Sequence, residues 1–165
     1  MNFSQQSRTS TLSILLILLS GLGNAGQFDD ATAAYEKGDF AQAFKLIQPM
    51  ATKGDAEAQL NLGIMYFNGQ GVPQDYKQAV DWFRKAAAQG DADSQTNLGN
   101  MYYDGLGVPQ DYVRAHMWFN LAAVQGDSDA VKNRDLTASK MTAAQIAEAQ
   151  KLARECEQRI YKSCD

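Results

Sequence analysis

GDAEAQLNLGIMYFNGQGVPQDYKQAVDWFRKAAAQ, residues 54–89, is followed without a gap by GDADSQTNLGNMYYDGLGVPQDYVRAHMWFNLAAVQ, residues 90–125. The two stretches are identical at 22 of 36 positions. A period of this length marks a stacked array of supersecondary units, none of which can bury its apolar face alone. The spacing inside each unit identifies the element. Ala58, Leu62, Met65 and Tyr66 fall on one face of a helix, and after a break Ala79, Trp82, Phe83, Ala86 and Ala87 do the same. The second copy repeats both stripes through Leu98, Met101 and Tyr102, then Ala115, Trp118, Phe119, Ala122 and Ala123.

The punctuation agrees with two helices per unit. Asp55, Asp91 and Asp127 each follow a glycine and precede a helical pattern, so each is expected to cap a helix start. Gly54, Gly90 and Gly126 are placed to end the preceding helix in the left-handed conformation. Asp75 and Asp111 precede the second helices, with Gln78 placed for a capping box at Asp75. Gly63 and Gly99, in mid-helix, cost about 1 kcal/mol each in propensity. A cost repeated at one place in both units predicts a close approach of the neighbouring helix.

These residues resemble the Sel-one-like repeat family, a relative of the tetratricopeptide repeat. The resemblance rests on A-x-x-x-L-G-x-x-Y, then G-x-G-V-P-x-D, then A-x-x-W-F-x-x-A-A-x-Q-G-D. It implies an all-α fold, a right-handed α/α superhelical solenoid of antiparallel helix pairs. Full units cover 54–89 and 90–125. A degenerate helix pair over 28–53 precedes them, with Ala43, Ile47, Met50, Ala51 and Gly54 in register but without the Gly-x-Gly-Val-Pro loop. Residues 126–165 read as a partial repeat and a C-terminal capping helix opening at Thr142.

Residues 1–25 read as a signal peptide: Arg8, the apolar run Leu12–Leu19, and small Gly23 and Ala25 before a cut after Ala25 or Gly26. That run is too short to span a bilayer as a helix. The expected location is periplasmic or secreted. Without this region the chain has 14 Lys/Arg against 19 Asp/Glu, a net charge of −5, which disfavours nucleic acid as a partner. No membrane insertion is expected after cleavage, and the chain is expected to be a monomer. Cys156 and Cys164, the only cysteines, are a candidate disulfide in an oxidising compartment; free thiols and an intermolecular bridge are the alternatives. Since a continuous helix would hold them about 12 Å apart, bridging requires the helix to end near Arg159–Tyr161.

Little of the sequence suggests catalysis, and no catalytic residue, cofactor or metal site is assigned. His116 is the only histidine and sits where Val80 stands one repeat earlier, which predicts packing or a surface role. Gly69-Gln70-Gly71 and Gly105-Leu106-Gly107 lack the preceding strand of a phosphate loop and lead to an aspartate. Trp82 and Trp118 are expected to be equivalent core anchors.

The resemblance implies a non-enzymatic scaffold that binds a protein or peptide in a concave groove, with a role in envelope regulation or assembly. If tetratricopeptide geometry carries over, that groove is lined by Leu60, Asn61, Ile64 and Phe67, then Thr96, Asn97, Asn100 and Tyr103. Amides bond an extended backbone and rings cover side chains, so such a set suits a peptide. The alternative is a hydrolase or binding protein acting on cell-wall or β-lactam compounds, since some cysteine-rich secreted relatives are linked to penicillin binding. Those relatives carry a disulfide in each repeat, whereas neither full repeat here contains cysteine.

Overall fold

Aspartate and glycine set the helix boundaries. In the computed structural model, residues 26–161 and Cys164 are described. The region read as a signal peptide, and its cleavage site up to residue 25, lie outside them. Residues 26–36 are helical (α1), followed by α2 (Phe40–Thr52), α3 (Ala56–Asn68), α4 (Tyr76–Ala87), α5 (Ala92–Asp104), α6 (Tyr112–Val124), α7 (Ser128–Ala138) and α8 (Ala143–Gln158). No strand occurs among the described residues.

Every expected aspartate cap forms. Asp55, Asp91 and Asp127 accept from the backbone N–H of Ala58, Ser94 and Ala130 at 2.9, 2.7 and 3.0 Å. Asp75 and Asp111 accept from Gln78 and Arg114 at 3.1 and 3.0 Å. The two-way capping box expected at Asp75 forms instead at Thr142 and Gln145, where side chain and backbone satisfy each other in both directions. Gly54, Gly90 and Gly126 take φ of 101°, 90° and 97°, which an L side chain rarely adopts.

Helices pack mainly on their neighbours in sequence, α3 on α4 and α5 on α6, with α2–α3, α4–α5 and α6–α7 joining one unit to the next. The result is a solenoid of helix pairs. Two apolar cores run through it. One gathers α1, α2 and α3 around Ile47, Met50, Leu62 and Met65. The larger extends from α4 to α8 around Phe83, Leu98, Trp118, Phe119 and Leu121. Gly63 and Gly99 are points of close approach within each helix pair, and the neighbours they admit are Phe83 and Phe119.

Buried glutamines tie the units together. Gln59 donates through Nε2 to the Ala51 carbonyl of the preceding unit at 3.0 Å. It also accepts from Gln89 Nε2 at 2.8 Å, and Gln125 repeats that bond to Gln95 at 2.9 Å. A buried polar group left without a partner costs about 1–3 kcal/mol, so these bonds help to fix the register of one unit on the next.

The end of the chain folds back as its cysteines require. Helix α8 packs on α6, and Ile160 and Tyr161 then take left-handed φ of 52° and 59°. The reversal brings Cys164 to Cys156, and the two are disulfide-bonded with Cα atoms 5.1 Å apart. The Tyr161 ring reaches back to Gly90, where an added β-carbon would lie 3.3 Å from Cε2.

The expectation for the tryptophans is corrected in part. Trp118 is 2 % exposed, but Trp82 is only half-buried, with the Lys85 ammonium 3.8 Å from its ring centre. Helix α6 is covered by α8 as well as by α5 and α7, whereas α4 packs chiefly on α3 and α5. Equivalent places in the repeat are therefore not equivalent in the array.

Candidate functional site

Along α3 and α5, the side chains that escape the packed stripe fall into a second row. Leu60, Asn61, Ile64 and Phe67 on α3, and Thr96, Asn97, Asn100 and Tyr103 on α5, are all half-buried. Partial burial is what the wall of a groove shows, since a core residue would be sealed and an outer-face residue open. Leu60, Ile64, Phe67 and Tyr103 also lean on the larger core.

Four of these eight residues line two cavities. Asn61 and Ile64 line one of about 380 Å³, lying between α1 and α3. Its opposite wall is Phe28, Thr32 and Tyr35 of α1, with Ile47 and Met65 between them. The Tyr35 hydroxyl donates to Gln70 Oε1 at 2.8 Å, linking α1 to the Gly-x-Gly loop. Asn61 donates through Nδ2 to the Glu57 carbonyl at 2.8 Å, which uses one of its two amide hydrogens. This volume lies within the range of small-molecule and side-chain pockets.

Asn100 and Tyr103 line the second cavity, about 150 Å³, together with Phe119 below and Asn133 and Leu136 of α7. The Asn133 amide donates to Asn100 Oδ1 at 3.2 Å. The Tyr103 ring lies 5.4 Å from that of Tyr112, and the Lys140 ammonium stands 4.5 Å from the Tyr103 ring centre. Phe67 and Tyr76 repeat the ring pair at 5.4 Å one unit earlier, so the pairing belongs to the helix hairpin itself.

Thr96 also joins two units. Its hydroxyl donates to Asp127 Oδ2 at 2.6 Å and ties α5 to α7. Burial works against ionisation of Asp127, but the Thr96 hydroxyl and the amides of Ala130 and Asp129 hold its carboxyl below the usual range. Neither cavity is lined by Leu60, Phe67 or Asn97.

The walls supplied by α1 and α7 were not singled out from sequence. Phe28, Thr32 and Tyr35 stand at i, i+4 and i+7, a helical stripe whose spacing alone could have marked them. Asn133 stands 36 residues after Asn97, and Leu136 36 after Asn100, so the register of the repeat could have marked both.

The other candidates resolve into packing. His116 is 3 % exposed within α6. The second glycine of each loop lies against the backbone where the preceding unit's second helix begins, Gly71 on Phe40 and Gly107 on Tyr76. Among the described residues, no group of three His, Cys, Asp or Glu side chains is placed to hold a metal ion.

With this geometry in view, comparison with known proteins gives a consistent result. The Sel1 repeat model matches residues 24–55, 56–91 and 92–127, and the chain belongs to the Sel1 repeat family. The first, loop-poor unit is thus matched as a repeat alongside the two full ones. A crystal structure of a protective antigen present in uropathogenic Escherichia coli strains, described as displaying an SLR fold, is similar at 33 % identity and TM-score 0.79. That match covers 86 % of this chain and 31 % of the antigen, so the chain spans about a third of that protein's length. A Sel1 repeat protein from Oxalobacter formigenes is similar at 32 % identity and TM-score 0.62, over 76 % of this chain and 97 % of that one. Among curated proteins the sequence has no match. The chain is a Sel1 repeat scaffold, of a fold class generally non-catalytic and given to protein–protein interaction.

Proposed function

We propose that this protein is an exported scaffold that holds a segment of a partner protein along the row formed by α1, α3, α5 and α7, in cell-envelope regulation or assembly. The observation that carries the reading is the cavity of about 380 Å³ between α1 and α3, walled by Ile64 and Asn61 on one side and Phe28 and Tyr35 on the other. A recess of this kind accepts an apolar side chain, while an asparagine at its wall bonds the backbone that carries it. The smaller recess at Asn100 and Tyr103 gives a second contact further along the array. The apolar run at Leu12–Leu19 and the disulfide suit export to an oxidising compartment.

The experiment is a pull-down from envelope extract with the wild-type chain, with Ile64→Asn and with Tyr103→Ala. Asparagine already occupies the place of Ile64 one repeat later, so Ile64→Asn is expected to fold. Partners retained by the wild type and lost from both folded variants would support the groove. Partners retained equally by all three would place binding elsewhere. Mass spectrometry of the mature chain tests export, which an intact Met1 would contradict.

A further inference from the structure

Charge in this solenoid is sorted by layer. Helices α1, α3 and α5 carry Asp29, Asp30, Glu36, Glu57, Asp93 and Asp104, and contain no lysine or arginine. Helices α2, α4 and α6 carry Lys45, Lys77, Arg84, Lys85 and Arg114 against the single acid Asp81. Part of the acidic set has a local explanation, because Glu57 and Asp93 stand in first turns, where the helix dipole favours a carboxylate. Glu36 and Asp104 do not. Each ends its helix, where the dipole favours a cation and disfavours a carboxylate.

Three of these acids are not neutralised by an ion pair. Among the described residues, no lysine or arginine forms an ion pair with Glu57, Asp93 or Asp104. Burial, and then Asp91 and Asp127 beside it, push the Asp93 carboxyl above the ordinary range. The pattern stops at α7, where Lys132 pairs with Asp129 at 2.8 Å and Arg134 with Asp135 at 2.8 Å. Lys140 adds a cation beside the smaller recess. The larger recess thus sits within the acidic stretch, with Glu57 in its lining and no basic residue there.

We propose that the α1–α3 cavity receives a cationic segment of a partner protein: one aliphatic side chain seats against Phe28, Ile47 and Ile64, while flanking lysines or arginines face Glu57 and the neighbouring acids. This rests on the groove reading above and adds the chemistry of the occupant. Complementary charge at the rim speeds encounter and rejects acidic partners, while the buried aliphatic anchor supplies the short-range energy. Asn61 stands where it can accept from or donate to the segment's backbone.

The test uses the chain as processed by the cell, isotope-labelled, and three nine-residue synthetic peptides of alternating Lys-Leu, Gln-Leu and Glu-Leu. The Lys-Leu peptide should move the amide signals of Thr32, Asn61 and Ile64. It should bind at least about tenfold more tightly than the Glu-Leu peptide, and weaken several-fold between about 20 and 300 mM salt. Ile64→Asn and Glu57→Gln should each reduce its binding. Equal binding of the Gln-Leu or Glu-Leu peptide at those same signals would overturn the cationic assignment and leave the groove standing. Shifts confined to α4 and α6 would overturn both, and no shift with Lys-Leu at millimolar concentration would overturn the proposal.

Discussion

A β-carbon added to Gly99 would meet the Phe119 ring at 2.5 Å, and one added to Gly63 would meet Phe83 at the same distance. The glycine in each first helix is therefore the socket for a phenylalanine of its hairpin partner. Both rings are sealed, at 1 % exposure each.

Gly99→Ala sets two effects against each other. Alanine raises helix propensity by about 1 kcal/mol, whereas overpacking a sealed ring costs about 1–3 kcal/mol. A contact at 2.5 Å is too short to be absorbed without displacing the ring from its sealed seat, so we expect net destabilisation in urea titration. Phe119→Leu in the same chain should recover part of the loss. A stabilised Gly99→Ala would mean that the hairpin is not packed this tightly.

The two glycines of the Gly-x-Gly loop should differ. Gly105 and Gly107 have φ of 73° and 72°, so alanine at either carries similar backbone strain, about 1–2 kcal/mol. At Gly107 the new carbon would also strike the Tyr76 carbonyl, a backbone group that cannot swing aside. At Gly105 it would meet only Gln110, at 3.2 Å. Gly107→Ala should therefore be the more destabilised in denaturant titration, and equal losses would contradict docking of the loop on α4.

Trp118→Ala should cost about 3–5 kcal/mol, as expected for a sealed indole. Trp82→Ala should cost clearly less, about 1–2 kcal/mol, because the ring keeps contact with water and with Lys85. Denaturant titration of both variants decides it. Equal losses would show that α4 is covered in solution by something besides α3 and α5.

Repetition decided how much was legible. The helix pairs, the aspartate caps and the glycine sockets each recur at a period of 36, so one copy checked the other. Trp82 and Trp118 share that register, yet only Trp118 is sealed, because α8 covers α6 and no periodic rule predicts a cap. The candidate row was half legible for the same reason. Asn61, Asn97 and Asn133 recur at that period, whereas Phe28, Ile64, Asn100 and Leu136 share one register place but differ in residue type, and Tyr35 stands opposite Gly71. The bond from Thr96 to Asp127 was not legible, because the two lie 31 residues apart and in different units.

Stability should fall as pH drops from about 7.5 to 5.5. Burial, and then the Arg134 guanidinium, push the His116 imidazole below its ordinary value, against a smaller opposing pull from Asp135. The unfolded chain takes up a proton near its ordinary pKa of about 6.5 while the folded chain resists it, so the unfolded state binds more protons in that window. Stability is then lost as pH falls, at most about 1.4 kcal/mol per pH unit for one group. Melting temperature against pH should be flatter in His116→Gln, and because the chain has one histidine no second imidazole confuses the reading. Parallel profiles for the two proteins would contradict it.

The central claim is that a partner segment lies along the row of first helices, and in-cell photo-crosslinking reads this directly. A photoreactive phenylalanine analogue placed singly at Asn61, Ile64, Tyr103, Asp81 or Lys85 samples that row and the outer face of α4. Adducts of one common partner from positions 61, 64 and 103, with none from 81 and 85, are the result we predict. Adducts from 81 and 85 alone would contradict the account.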